Sequence, residues 1–327
     1  LAGAVPVETG MARLIQILEI LVADVEAGWP AALCAVLEKH GSAPQTPGAT
    51  MLVRSDGSTV GTVGGGAAEA EVGRQALRLL EENRSALLKL KLDANYGWDD
   101  TPICGGSMTV GIMPVTRGAE FAAFRTAFEN VRDRRPAYIP IIVEHEGKRR
   151  EYRLNVEVPP TLLIAGAGHV GQAVARLAVD LDFHVVVIDD RGDMAAPERF
   201  PAGVELKVGD IAATLRDYSL DAGCYVVVVT RGHKHDHAAL EAVIGREAAY
   251  VGMIASRRKA ATLLSKLAEA GVPKGLIDAV HTPIGVPIGA QTVNEIAVSI
   301  MAELIQVRRQ STPALVEGPI ERSTGEE

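Results

Sequence analysis

The residues best spaced for chemistry fall in one stretch, TLLIAGAGHVGQAVARLAVDLDFHVVVIDD, residues 161–190. Gly166, Gly168 and Gly171 stand in a GxGxxG spacing after a short apolar run without polar alternation. Beyond them Val174, Leu177, Ala178 and Leu181 recur with the period of a helix, and a second β-branched run ends at Asp189. This reads as strand, glycine turn, helix and strand. In such a unit Gly166 allows the tight turn, Gly168 lets a phosphate reach the backbone, and Gly171 lets helix and strand pack closely. The helix opening at His169 and Val170 aims unpaired N–H groups and a positive dipole end at that phosphate. Asp189 is spaced to accept hydrogen bonds from an adenosine ribose, which favours NAD over NADP. Arg191 either receives a 2′-phosphate or belongs to a solvated loop after the strand.

Two further segments reach the same edge if the sheet is parallel, since ligands of open α/β sheets sit beyond the carboxyl ends of the strands. Thr230, Arg231, Gly232 and His233 follow the run VVVV, and Ser256, Arg257, Arg258 and Lys259 follow a strand at Tyr250. Ser256 reads as an N-cap, and the basic residues behind it offer an anion site or a solvated helix face. His233, His235 and His237 alternate, so on an extended segment they would share one face. With Asp236 between the second and third, and no distant ligands, no metal site is expected.

In the first half, Gly64, Gly65 and Gly66 join a strand to a helix and again expose N–H groups, with Glu69 placed to suit the dipole. Cys104 precedes Gly105 and Gly106 and is either an accessible thiol or a small packing residue, whereas Cys34 and Cys224 lie inside apolar strands. No nucleophile elbow, P-loop or acid–base pair emerges, so no catalytic residue is assigned.

The elements that must position these residues fit two domains in 327 residues. The expectation is an α/β protein, with an α+β domain of largely antiparallel sheet over 11–157 and a larger, Rossmann-like parallel-sheet domain over 160–310. Val158-Pro159-Pro160 is the boundary, and residues 1–10 and 311–327 read as tails. A net charge of −8 with no basic stretch interleaved with aromatics argues against nucleic acid. Three separated cysteines and no signal peptide or membrane span fit a reducing cytoplasm.

GSAPQTPGATMLVRSDGSTVGTVGGG followed by Glu69 resembles the first domain of the xanthine dehydrogenase accessory proteins, the XdhC/CoxI family. AGAGHVGQAVARLA, IDDR, VVVVTRGHKHD, YVGMIASRRK and HTPIGVPIGAQTVNEIAVSIMAEL are similar to its Rossmann domain. The resemblance implies a maturation factor that binds the molybdenum cofactor (molybdopterin), protects it during sulfuration and delivers it to apo-xanthine dehydrogenase or a related molybdenum hydroxylase. It further implies contact with a cysteine desulfurase and a homodimer. The ligand would lie between the first-domain glycine loop and the Rossmann strand edge. Where the family usually carries a cysteine after the triple glycine, this chain has Ala67, which leaves Cys104 as the thiol that the resemblance offers. The rival readings are an NAD(P)-dependent oxidoreductase and a nucleotide-sensing regulatory protein.

Overall fold

The computed structural model describes residues 10–92, 106–311 and 315–322, so Cys104 and its loop lie outside the described residues. The chain packs as two units: residues 1–158 with 313–327, and residues 159–312.

The first unit opens with helix α1 (Gly10–Glu26), then β1 (Ala31–His40), the hairpin β2 (Thr50–Arg54) and β3 (Thr59–Gly61), helix α2 (Gly66–Glu82), β4 (Ala86–Leu92) and β5 (Gly106–Val115). These strands form an antiparallel sheet in the order β3-β2-β1-β5-β4. Helix α3 (Phe121–Arg132) leads to the antiparallel hairpin β6 (Ala137–His145) and β7 (Lys148–Val156). The central strand β1 shows why its sequence, ALCAVLE, is apolar without alternation. Ala31, Leu33, Ala35 and Leu37 face a core built with α1, α3 and the hairpin, while Ala32, Cys34 and Val36 face a second core under α2. A strand covered on both sides needs apolar residues at every position. Burial raises the Cys34 thiol pKa well above its usual range, so it acts as a packing residue.

The second unit is a parallel sheet of β8 (Thr161–Ala165), β9 (His184–Asp189), β10 (Glu205–Val208), β11 (Cys224–Val228) and β12 (Tyr250–Met253). Its order, β10-β9-β8-β11-β12, reverses direction between β8 and β11. Helices α4 (His169–Asp180), α5 (Ile211–Asp217), α6 (His233–Val243), α7 (Arg257–Glu269), α8 (Lys274–Asp278) and α9 (Val293–Ser311) cover it. Leu162 and Ile164 pack with residues of α4 and α9, whereas Leu163 and Ala165 pack with α5, α6 and α7. His281 bridges Gly252 in parallel, a single rung of a sixth strand. The fold is a Rossmann-like α/β unit joined to an α+β unit.

The chain then returns to the first unit. β13 (Val316–Arg322) pairs antiparallel with β7, giving a three-stranded sheet β13-β7-β6. This stretch reads as a tail in the sequence, because its pattern GPIE is too short and polar to predict a strand. Pairing with β7 and packing of Val316 on the first unit's core supply what local sequence does not.

Candidate functional site

The reversal of strand order places the glycine turn at the point where α/β sheets hold ligands. Gly166 has φ +119, a conformation that side chains disfavour, and a Cβ there would lie 2.6 Å from the Val229 carbonyl oxygen. A Cβ on Gly171 would run into the Gly166 carbonyl oxygen, so this glycine fixes how closely α4 approaches β8. Gly168 differs from both. It caps α4 in an extended conformation without side-chain capping, and a Cβ on it would meet nothing within 4 Å. The start of α4 at His169 and Val170 is therefore open on the side where a phosphate would approach.

Asp189 ends β9 beside that turn and is 1 % exposed. Its Oδ2 accepts from the Ala167 N–H at 2.7 Å and from Arg191 Nη2 at 2.9 Å. Oδ1 accepts from the Arg191 N–H at 3.0 Å and Nε at 2.9 Å. Burial alone would raise its pKa, but the guanidinium and the two backbone donors more than offset this and bring it down to about 2. Arg191 is thus no solvated loop residue. Asp190 is tied in turn to Arg231, with Oδ2 3.0 Å from Nη2.

The segment after β11 is helical, so the shared face that the alternating histidines would have on an extended segment does not form. α6 begins at His233, capped by Gly232, so His235 points elsewhere on the helix than His237, which pairs with Glu241 at 3.3 Å. No group of three metal-ligating side chains forms among the described residues. Asp236, which the sequence offers only as an interruption of the histidines, is fully buried. Thr230 Oγ1 donates to its Oδ1 at 2.6 Å and Lys259 Nζ to its Oδ2 at 2.6 Å, joining the loop after β11 to α7. Ser256 caps α7 as its sequence suggests, accepting from the Lys259 N–H at 3.3 Å. Arg257 and Arg258 are exposed. A cavity of about 810 Å³ opens here, lined by His237, Ser256, Arg258, Lys259, Thr262 and Lys266 among others. Its cationic lining suits an anion.

A third cluster escapes the sequence reading. Glu303 on α9 accepts from Tyr250 Oη at 2.5 Å and the Gly285 N–H at 2.7 Å, and lies 3.0 Å from His281 Nδ1. Burial would raise its pKa, but these three partners hold it below its ordinary range. The signal is the segment HTPIG with a glutamate on an otherwise apolar helix face, but no spacing rule pairs the two.

In the first unit the triple glycine has positive φ throughout, at +144, +71 and +56, and Gly65 caps α2. Glu69 does more than suit the dipole: its Oε2 accepts from Thr62 Oγ1 at 2.5 Å and the Gly65 N–H at 3.1 Å. The Gly64 N–H bonds to Thr62 Oγ1 at 3.2 Å. Two of the N–H groups expected to face a ligand therefore serve the loop itself. Space remains at Gly65 and Gly66, where a Cβ would meet nothing within 4 Å.

Residues 162–304 match the XdhC Rossmann domain, and residues 25–91 match the XdhC and CoxI family. The chain belongs to that family. It is 31% identical over 295 residues to the uncharacterized protein YqeB of Escherichia coli, covering 90% of this chain and 46% of YqeB, and so spans about half of that relative. It is 24% identical over 341 residues to a probable xanthine dehydrogenase subunit of Bacillus subtilis, with 92% of this chain and 99% of that one covered. It is also 24% identical over 302 residues to the molybdenum cofactor insertion chaperone PaoD of Escherichia coli, covering 89% of this chain and 88% of PaoD. A crystal structure of a xanthine dehydrogenase from Bacillus halodurans shares the fold, with a TM-score of 0.77 at 21% identity over 91% of this chain and 96% of that one. Among the described residues no helix is long and apolar enough to cross a membrane.

Proposed function

We propose that this chain is a molybdenum cofactor carrier, which binds the cofactor and hands it to the apo form of xanthine dehydrogenase or a related molybdenum hydroxylase. The observation that carries this reading is the match along most of both chains to a relative named as a molybdenum cofactor insertion chaperone. The geometry fits the phosphate end of a pterin cofactor. The start of α4 is open at Gly168, and the cavity beside Ser256 and Arg258 is cationic. Gly168, His169 and Val170 would take the phosphate through backbone N–H groups, with Thr230, Arg231, Gly232, Ser256, Arg257 and Arg258 on the same sheet edge. Gly65 and Gly66 offer a second backbone surface in the first unit. The cofactor supplies the redox chemistry once installed in its enzyme, and this chain's residues would hold its phosphate end.

Protection during sulfuration, contact with a cysteine desulfurase and a homodimer belong to the same reading. The test is retention: purified protein is incubated with molybdopterin, passed through a sizing column and assayed for pterin fluorescence. Co-elution with the wild type, and loss with Gly168→Val, is the expected result. A wild type that elutes free of pterin sinks the carrier reading.

A further inference from the structure

The fold and its GxGxxG turn imply an adenine dinucleotide, and the residues at the turn do not fit one. An NAD ribose needs the acid at the end of the second strand to accept from its 2′- and 3′-hydroxyls. A carboxylate has about four acceptor positions. In Asp189 they are taken by the Ala167 N–H, the Arg191 N–H and two nitrogens of the Arg191 guanidinium. NADP fares no better. Arg191 keeps Nη1 and one Nη2 hydrogen free of Asp189, but a 2′-phosphate that met them would also stand beside the Asp189 and Asp190 carboxylates, whose like charge repels it.

The obstruction also reaches across the turn. Arg191 Nε lies 3.8 Å from Asp190 Oδ1, and Asp190 Oδ2 lies 3.0 Å from Arg231 Nη2. Asp189 ends β9 with Asp190 and Arg191 directly after it, and Arg231 follows β11, the two strands that flank β8. The chain of ion pairs therefore spans the carboxyl end of β8, where a dinucleotide would cross from one half of the sheet to the other.

We infer that Arg191, held on Asp189 and linked through Asp190 to Arg231, closes the crevice at the glycine turn to NAD and NADP. Arg191 is the specificity-determining residue. The open face of Gly168 is untouched by this strap, so a phosphate carried by a ligand without an adenosine ribose is still admitted. The inference stands apart from the carrier reading, since it concerns adenine dinucleotides and is read without any pterin.

Calorimetric titration of the full chain with NAD and with NADP tests it. The wild type should show no saturation into the millimolar range. Arg191→Ala, which returns two acceptor positions to Asp189, should bind NAD at least about tenfold more tightly than the wild type. Saturation of the wild type by either dinucleotide at micromolar concentration overturns the inference. So does an Arg191→Ala protein that is folded by circular dichroism yet binds no more tightly. Should that variant fail to fold, Arg191→Lys, which keeps the charge but cannot bridge both oxygens, is read by the same two criteria.

Discussion

Arg191 grips Asp189 with both arms of its guanidinium, Nε 2.9 Å from one carboxylate oxygen and Nη2 2.9 Å from the other. The pair gives the second unit a defined response to acid. The Asp189 carboxyl titrates at about 2 in the folded chain, below its ordinary 3.8. A depressed carboxylate stabilises the fold above its unfolded pKa and loses that contribution as pH falls through the folded one. About 2 kcal/mol should therefore disappear between about pH 4 and about pH 2. Urea unfolding of wild type and Asp189→Asn should show a gap at pH 7 that narrows as pH drops through that window. A gap independent of pH would refute it.

Lys259 and Arg258 are sequence neighbours with opposite expected sensitivities. Lys259 is the cation on buried Asp236, while Arg258 is exposed on the cavity wall. Removing one partner of a buried pair leaves an uncompensated charge, so Lys259→Ala should cost about 3 kcal/mol. Arg258→Ala should stay within about 0.5 kcal/mol. Chemical denaturation of the two variants checks the contrast, and equal effects would count against the buried pair.

Tyr250 Oη donates to Glu303, and burial together with that carboxylate pushes the phenol pKa far above its ordinary value, so the hydroxyl stays a donor. Tyr250→Phe deletes a hydrogen bond to a charged acceptor and should cost about 2 kcal/mol. Thermal or urea unfolding measures it. A neutral substitution would mean that water replaces the phenol.

The glycines of the turn should separate folding from binding. Gly171→Ala places a methyl group on the Gly166 carbonyl and should destabilise the second unit by several kcal/mol, on the order of an overpacked core. Gly168→Ala meets open space at an ordinary φ of −69 and should melt like the wild type. Differential scanning calorimetry of the two variants decides the matter.

Local rules carry much of the fold. The GxGxxG turn, the Ser256 cap and the capping box of Thr292 and Glu295, whose Oε2 accepts from the Thr292 N–H at 2.8 Å, all depend on residues within a few positions of one another. What the sequence cannot convey depends on partners far away. Lys259 meets Asp236 and Glu303 meets Tyr250 only once the sheet has formed. In sequence Glu69 looks like a dipole partner, because nothing in its spacing reveals that it reaches back to Thr62. The alternation of the histidines after β11 carries no trace of the helix that Gly232 starts. Asp189 has the spacing of a ribose acceptor, and Arg191, two residues on, gives no sign in sequence of folding back onto it.

β13 has a consequence for synthesis. The strand that completes the three-stranded sheet leaves the ribosome only after the entire parallel-sheet unit, a wait of roughly ten seconds or more at ~5–20 residues per second. During that interval β7 has an uncovered side, and an uncovered side recruits strands from other nascent chains. Lys148, Arg149, Arg150 and Arg153 make this strand the most basic among those described, and Glu317 stands opposite Arg153 in the final register. Repulsion between like charges would keep other copies of β7 away, and Asn155 Nδ2, donating to Glu317 Oε1 at 2.9 Å, fastens β13 once it arrives.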